Sequence, residues 1–138
     1  MKINKKIQNR SAKIGVIGLG YVGLPLAIEF VQAGFDVIGI DIDDNKINLI
    51  NNGNNYIKDV NNDLLKKAVE ENKLSATTDF SNVQDLDSIS ICVPTPLDVY
   101  EQPDMSYVKK ATKTISKNLK KGQLVILEST TYPGTTKE

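Results

Sequence analysis

The sequence predicts an α/β fold, a doubly wound and mostly parallel sheet that is truncated after its fifth strand. Three observations predict it. Short continuous apolar runs alternate with amphipathic stretches along the chain, as they do when helices cover both faces of a parallel sheet. The first apolar run ends in a glycine-rich turn. No repeat and no low-complexity linker interrupts the alternation.

Each element has its own warrant. Residues 1–12 are polar and basic, and read as a flexible lead-in or a short first turn. Residues 14–17 form the first strand. Residues 21–33 form a helix with Val22, Leu26, Ala27, Phe30 and Val31 on one face. Pro25 is compatible with that helix because it falls in the first turn, where N–H groups have no intrahelical partner. Gly34 stops it. Residues 35–40 form strand two, which ends at Asp41. Asp43 caps a helix carrying Ile47, Leu49 and Ile50, and Gly53 ends it. After a polar loop, residues 62–71 form a helix with Leu64, Leu65, Ala68 and Val69 as its stripe. Residues 74–78 are a weaker third strand. Residues 89–93 are a fourth, stopped by Pro94 and Pro96. Asp104 caps a helix with Met105, Val108, Thr112, Ile115 and Leu119 at helical spacing, and Gly122 ends it. Residues 124–127 are strand five. The chain stops shortly afterwards in what reads as a loop, whereas a six-stranded fold of this type needs one more strand. A fragment of a longer protein is therefore expected, with an apolar edge on strand five that favours self-association.

Composition excludes several functions. The 138 residues, 40% hydrophobic and 25% charged, fit one globular domain. Lys plus Arg and Asp plus Glu each total 17, so no basic excess points to nucleic acid or an anionic membrane surface. With no His, this chain cannot build a Ser-His-Asp triad or a His-ligated metal site. With one Cys, it cannot build an internal disulfide or a multi-cysteine metal site. A single thiol fits a reducing cytoplasm. No apolar run approaches the roughly 20 residues of a membrane span, and the basic start lacks the apolar stretch of a signal peptide.

The chemistry concentrates in Gly18-Leu19-Gly20-Tyr21-Val22-Gly23. The motif follows a predicted strand, opens a helix and precedes a strand that ends in an acid, the context of a Rossmann-type dinucleotide site. A glycine-rich turn without a ligand is the plainer reading, and that context argues against it. Gly18 permits the tight turn, Gly20 lets a pyrophosphate approach the backbone, and Gly23 lets the helix pack close to the strand. The N–H groups of this turn and the helix dipole favour an anion. Asp41 follows Gly23 at close to the spacing of about 20 positions expected of a ribose-binding acid. A carboxylate there accepts bonds from ribose hydroxyls and repels a 2′-phosphate, so NAD is expected over NADP. The alternatives for Asp41 are a solvent-facing acid or a helix cap, and Asp43 is the better cap.

For other residues the sequence leaves two readings open. Lys46 is either a cation beside the adenosine ribose or pyrophosphate, or an exposed helix lysine. Thr95, between Pro94 and Pro96, is either a hydroxyl held against a cofactor or part of a strand stop. Ser129, Thr130 and Thr131 stand at the matching edge of strand five, after Glu128, which is either a site carboxylate or solvent-facing. Cys92, inside an apolar strand with no His to activate it, reads as a buried inert thiol. Tyr56, Tyr100 and Tyr107 belong to no evident constellation.

Three stretches together resemble the UDP-glucose/GDP-mannose dehydrogenase family. They are the run from Lys13 to Ala27 that contains the glycine motif, Ile91-Cys92-Val93-Pro94-Thr95-Pro96, and Glu128-Ser129-Thr130-Thr131-Tyr132-Pro133-Gly134-Thr135-Thr136. The likeness runs from residue 13 to the end, and the last stretch is more similar to the branch acting on UDP-N-acetylhexosamines. The resemblance implies oxidation of a nucleotide-sugar C6 hydroxyl to a carboxylate, in two NAD-dependent steps through a thiohemiacetal on a catalytic Cys. It implies that Gly18, Gly20, Tyr21, Val22, Gly23 and Asp41 hold the dinucleotide and that Lys46 contacts its adenosine side. It implies that Val93, Pro94 and Thr95 pass along the cofactor, that Ser129 and Thr131 approach the nicotinamide, and that Thr130 positions a water and the reacting groups. The family's catalytic Cys, Lys and Asn lie downstream of this chain, as do the sugar-nucleotide domain and the helix that dimerises the family, so Cys92 is not the catalytic one. The expectation is a cofactor domain over residues 13–138, inactive alone, from a homodimeric enzyme whose UDP-sugar substrate binds the other half. Two other readings compete. One is a free-standing dinucleotide-sensing regulatory module. The other is the cofactor domain of a 3-hydroxyacid or 6-phosphogluconate-type dehydrogenase, which Val93-Pro94-Thr95-Pro96 fits poorly.

Overall fold

A computed structural model of the chain describes residues 3–58, 60–92 and 106–127. Five parallel strands form one sheet: β1 (Lys13–Ile17), β2 (Asp36–Ile40), β3 (Leu74–Thr77), β4 (Ser88–Ile91) and β5 (Leu124–Leu127), in the spatial order β3-β2-β1-β4-β5. Parallel neighbours need crossovers, and helices supply most of them: α2 (Gly23–Gln32), α3 (Asp44–Asn51), α4 (Asn62–Glu70) and α5 (Ser106–Ser116). Strand order reverses between β1 and β4, which opens a crevice at their carboxyl ends.

Alternation along β1 divides the core. Ile14 and Val16 join Leu24, Ala27, Val37, Ile50 and Leu65 on one face, whereas Ile17 joins Ile40, Ile89, Ile91 and Ile115 on the other. Both faces are covered, so β1 and β2 read as near-continuous apolar runs, whereas β4 buries Ser88 and Ser90 between its isoleucines. Burying each such side chain contributes roughly 1.5–3 kcal/mol. The registers Gly15↔Ile38 and Ile17↔Ile91 bring the ends of β2 and β4 level with the turn that follows β1.

Local signals account for the element ends. Gly34, at φ +100°, closes α2 in a conformation that L side chains rarely adopt. The Asp43 side chain accepts from the Asn45 amide and caps α3, and Asn61 accepts from Asp63 and Leu64 to cap α4. At the β3 edge, the Asn51 side-chain amide bonds both the N–H and the C=O of Ala76 at 2.9 Å, standing in for a neighbouring strand. At the other end of the sheet, β5 exposes Leu124 and Val125. Asp104 and Met105, expected at the start of α5, lie outside the described residues.

Two helical pieces differ from the expectation. Residues 80–85 form a 3₁₀ turn, Phe80–Asp85, which the Asp79 side chain caps by accepting from Ser81. Within the expected flexible lead-in or first turn, Ile3–Gln8 is a helix, α1. Ties to distant residues hold it, and these are invisible in local sequence. Lys6 Nζ lies 2.7 Å from Asp87 Oδ1, and Asp87 Oδ2 accepts from the Lys13 amide at 2.8 Å. Arg10 Nε donates to the Ala33 carbonyl at the end of α2, where a cation complements the helix dipole.

These ties carry a pH dependence. Burial pushes the Asp87 carboxyl up, but hydrogen bonds from Lys6 and the Lys13 amide, with the charges of both lysines, outweigh it and hold the group below its ordinary value. A carboxyl depressed in the folded state contributes stability above its unfolded pKa, and that contribution is lost as pH falls through the folded value. Asp87→Asn is therefore expected to flatten the acid limb of stability below about pH 5. Denaturant melts of both proteins between pH 7 and pH 3 check this; parallel limbs would contradict it.

Candidate functional site

The site grows from the turn between β1 and α2. The Gly18 amide donates to the Ile40 carbonyl at 2.7 Å, and the Cys92 amide donates to the Ile17 carbonyl at 2.7 Å, so the turn is anchored to both neighbouring strands. Gly18 has φ +91°. A Cβ on Gly23 would stand 1.7 Å from the Gly18 carbonyl oxygen, so only a glycine lets α2 start this close to β1. A Cβ on Gly20 would meet nothing within 4 Å. The protein's own packing leaves that space open, as a bound group approaching the backbone requires.

The donors there are open as well. Val22, the N-cap of α2, makes no side-chain capping bond. Among the described residues, no hydrogen bond uses the amides of Gly20, Tyr21 or Val22. Tyr21 is 83% exposed and Val22 44%, so both stand at the mouth rather than in the core. Unsatisfied N–H groups with the positive end of a helix dipole behind them suit an anion.

Leu19, between the glycines, is held at three points. Its side chain is fully buried. Its amide donates to Asp41 Oδ2 at 2.8 Å, and its carbonyl accepts from the Tyr56 hydroxyl. Asp41 Oδ1 accepts from the Asp43 amide at 2.9 Å. Asp41 is thus neither a helix cap nor a simple solvent-facing acid: it ties the end of β2 to the glycine turn. Each carboxylate oxygen keeps further acceptor capacity for a ligand hydroxyl.

A cleft of about 400 Å³ adjoins this turn, lined in part by Gly18, Asp41, Lys46, Phe80, Lys110 and Thr114. Ile42 and Ala111 add apolar wall. Lys46 faces the cleft from α3 and is half-buried. The chemistry is that of a ligand with an anionic part, hydroxyls and a flat apolar part: open amides, a carboxylate, two lysines and an aromatic ring.

The structure brings Gly18, Gly20, Tyr21, Val22, Gly23, Asp41 and Lys46 to this one end of the sheet. Val93, Pro94, Thr95, Glu128, Ser129, Thr130 and Thr131 lie outside the described residues. Cys92 is buried at the end of β4, as expected of an inert thiol. Sequence reasoning missed Tyr56, Phe80, Lys110 and Thr114. Lys110, Ala111 and Thr114 share a helix face by spacing, but nothing local says what that face meets. Tyr56 is half-buried; burial first, then the charges of Asp41 and Asp43, push its phenol up from a value already well above neutral. Among the described residues, no group of three or more His, Cys, Asp or Glu is placed to hold a metal ion, and no helix is long and apolar enough to cross a membrane.

Residues 12–138 match the model of the UDP-glucose/GDP-mannose dehydrogenase family, NAD binding domain. This chain belongs to that family. Among relatives of this dehydrogenase family, UDP-N-acetyl-D-glucosamine 6-dehydrogenase of Pseudomonas aeruginosa is 43% identical over 129 residues, 94% of this chain and 30% of that protein. UDP-N-acetyl-D-mannosamine dehydrogenase of Pyrococcus horikoshii is 41% identical over 127 residues, 91% of this chain and 30% of that one. The crystal structure of GDP-mannose dehydrogenase from Pseudomonas aeruginosa in a ternary complex superposes with a TM-score of 0.85 at 34% identity, covering 91% of this chain and 30% of that one. The chain thus spans about three-tenths of the length of these dehydrogenases, and the part it spans is the NAD-binding domain of the family.

Proposed function

We propose that this chain is the NAD-holding part of a nucleotide-sugar 6-dehydrogenase that oxidises the C6 hydroxyl of a UDP-sugar, a UDP-N-acetylhexosamine or UDP-glucose, to the carboxylate. The observation that carries the reading is the Asp41 carboxylate bonded to the glycine turn at 2.8 Å, beside a Gly20 that faces open space. The family match over residues 12–138 supports it over a stand-alone regulatory module and over the other dehydrogenase classes. The names of the two relatives above support the UDP-N-acetylhexosamine class.

In this reading the amides of Gly20, Tyr21 and Val22 receive the pyrophosphate, and Gly18 and Gly23 hold those amides in place. Asp41 accepts from the adenosine ribose hydroxyls and repels a 2′-phosphate. Lys46 offsets pyrophosphate charge, and Phe80 and Ile42 wall the adenine side. Val93, Pro94 and Thr95 run along the cofactor, Ser129 and Thr131 meet its nicotinamide end, and Thr130 orients a water and the reacting groups. When bound, NAD supplies the hydride acceptor. The nucleotide sugar, the catalytic thiol and the homodimer contact belong to the rest of the protein, which we assign to the cytoplasm.

Calorimetric titration of the chain with NAD, and with NADP as the matched control, tests the reading. NAD binding at least about fivefold tighter than NADP is expected, because like charges about 4 Å apart cost from about 1 kcal/mol in water to about 4 kcal/mol near a protein surface. A chain with a folded circular-dichroism spectrum that binds neither nucleotide would overturn it.

A further inference from the structure

We propose that Tyr56 is a positioning residue for the pyrophosphate site, holding the Leu19 carbonyl so that the next N–H, that of Gly20, faces the ligand. The inference rests on the dinucleotide reading above and adds a residue to it.

Tyr56 lies in the loop between α3 and α4, far from the glycine motif in sequence, yet its hydroxyl donates to the Leu19 carbonyl. The stereochemistry of the peptide unit does the rest. In a planar trans peptide, the carbonyl of one residue and the N–H of the next point in opposite directions. A donor that draws the Leu19 carbonyl toward Tyr56 therefore turns the Gly20 N–H the other way. That N–H has no protein acceptor among the described residues, and the space beside Gly20 is open.

The opposite end of Leu19 is fixed too. Its own N–H is held by Asp41, and its side chain is buried. Without Tyr56 one rotation remains, the flip of the Leu19–Gly20 peptide plane between Leu19, held as above, and Gly20, whose carbonyl accepts from the Leu24 amide at 3.2 Å. A flipped plane would present the Leu19 carbonyl oxygen, a partial negative charge, toward the pyrophosphate. Tyr56 therefore selects the attractive orientation over the repulsive one. A phenol is protonated at neutral pH, so the hydroxyl is a donor, and burial with the nearby carboxylates of Asp41 and Asp43 extends that state to higher pH.

The test compares the chain with Tyr56→Phe, which removes only the hydroxyl, using three probes: NAD, ADP-ribose and adenosine. Positioning predicts that both pyrophosphate-bearing ligands weaken by about three- to tenfold, the net worth of one hydrogen bond. Adenosine, which has no phosphate, should stay within about twofold. In the unsubstituted chain, the Gly20 amide proton should move downfield on adding NAD, and this reading needs no variant to fold. Equal NAD affinity in both proteins, or equal weakening of adenosine and NAD, would overturn the role of Tyr56 while leaving the dinucleotide site standing; a Gly20 amide that ignores NAD would overturn it together with the placement of the pyrophosphate at that amide. A folded, unsubstituted chain that binds no dinucleotide would instead remove the site itself, and this proposal with it.

Discussion

Gly23→Ala is expected to unfold or badly loosen this chain, whereas Gly20→Ala, three positions earlier in the same motif, is expected to leave its stability within about 0.5 kcal/mol and still abolish tight NAD binding. The two differ in what the new methyl group meets. At position 23 it lands 1.7 Å from a backbone carbonyl oxygen, with the Cys92 Cβ at 3.3 Å behind it. Backbone cannot swing aside as the end of a flexible side chain can, so α2 must move off β1. That motion spoils the packing of Leu24 and Ala27, both fully buried on the same helix. Overpacking of this kind costs about 1–3 kcal/mol, and more where backbone must shift. At position 20 the methyl meets no protein atom within 4 Å, and Gly20 is not among the glycines with positive φ. The added group occupies the space assigned to the pyrophosphate and nothing else. Thermal melts and NAD titrations of both variants check the pair. A stable Gly23→Ala would mean that close packing of α2 on β1 does not depend on that glycine. A Gly20→Ala that binds NAD normally would mean that the pyrophosphate does not occupy the space beside it.

This contrast also shows where sequence reasoning reaches and where it stops. The turn was legible because its chemistry is local: three glycines, a preceding apolar run and a following helix stripe lie within a few positions of one another. Asp41 was legible at longer range because strand length fixes how far along the chain the end of β2 falls. Most strands were legible from continuous apolar runs, which burial on both faces enforces. Tyr56, Phe80, Lys110 and Thr114 were not, because what brings them to the candidate site is a neighbour from another part of the chain. Tyr56 matters for its bond to Leu19, and Phe80 sits on a 3₁₀ turn that its composition does not announce. The first helix was missed for the same reason. Lys6 and Arg10 look like solvated basic residues until Asp87 and the Ala33 carbonyl are placed opposite them.

Asp41→Ala is expected to weaken NAD by about tenfold or more and to narrow the preference over NADP, while lowering stability by about 1–3 kcal/mol. Two mechanisms act together in that variant, and they separate on inspection. The stability loss comes from the Leu19 and Asp43 amides, which lose a charged acceptor at 2.8 Å and 2.9 Å. The loss of cofactor preference comes from removing a negative charge opposite the position a 2′-phosphate would take. Asp41→Asn splits the two. It removes the charge outright, so the repulsion of NADP should fall as far as in Asp41→Ala. It keeps one acceptor oxygen for one of the two amides but turns an NH₂ donor toward the other, so about half of the structural loss should persist. The informative comparison is therefore the NAD-to-NADP affinity ratio set against the melting temperature across the three proteins. If charge governs discrimination, the ratio collapses equally in both variants while stability falls in two steps. If the ratio instead tracks stability, Asp41 acts on cofactor choice only by holding the glycine turn in shape, and the repulsion of a 2′-phosphate must come from another acid at the cleft, with Asp43 the residue to substitute next.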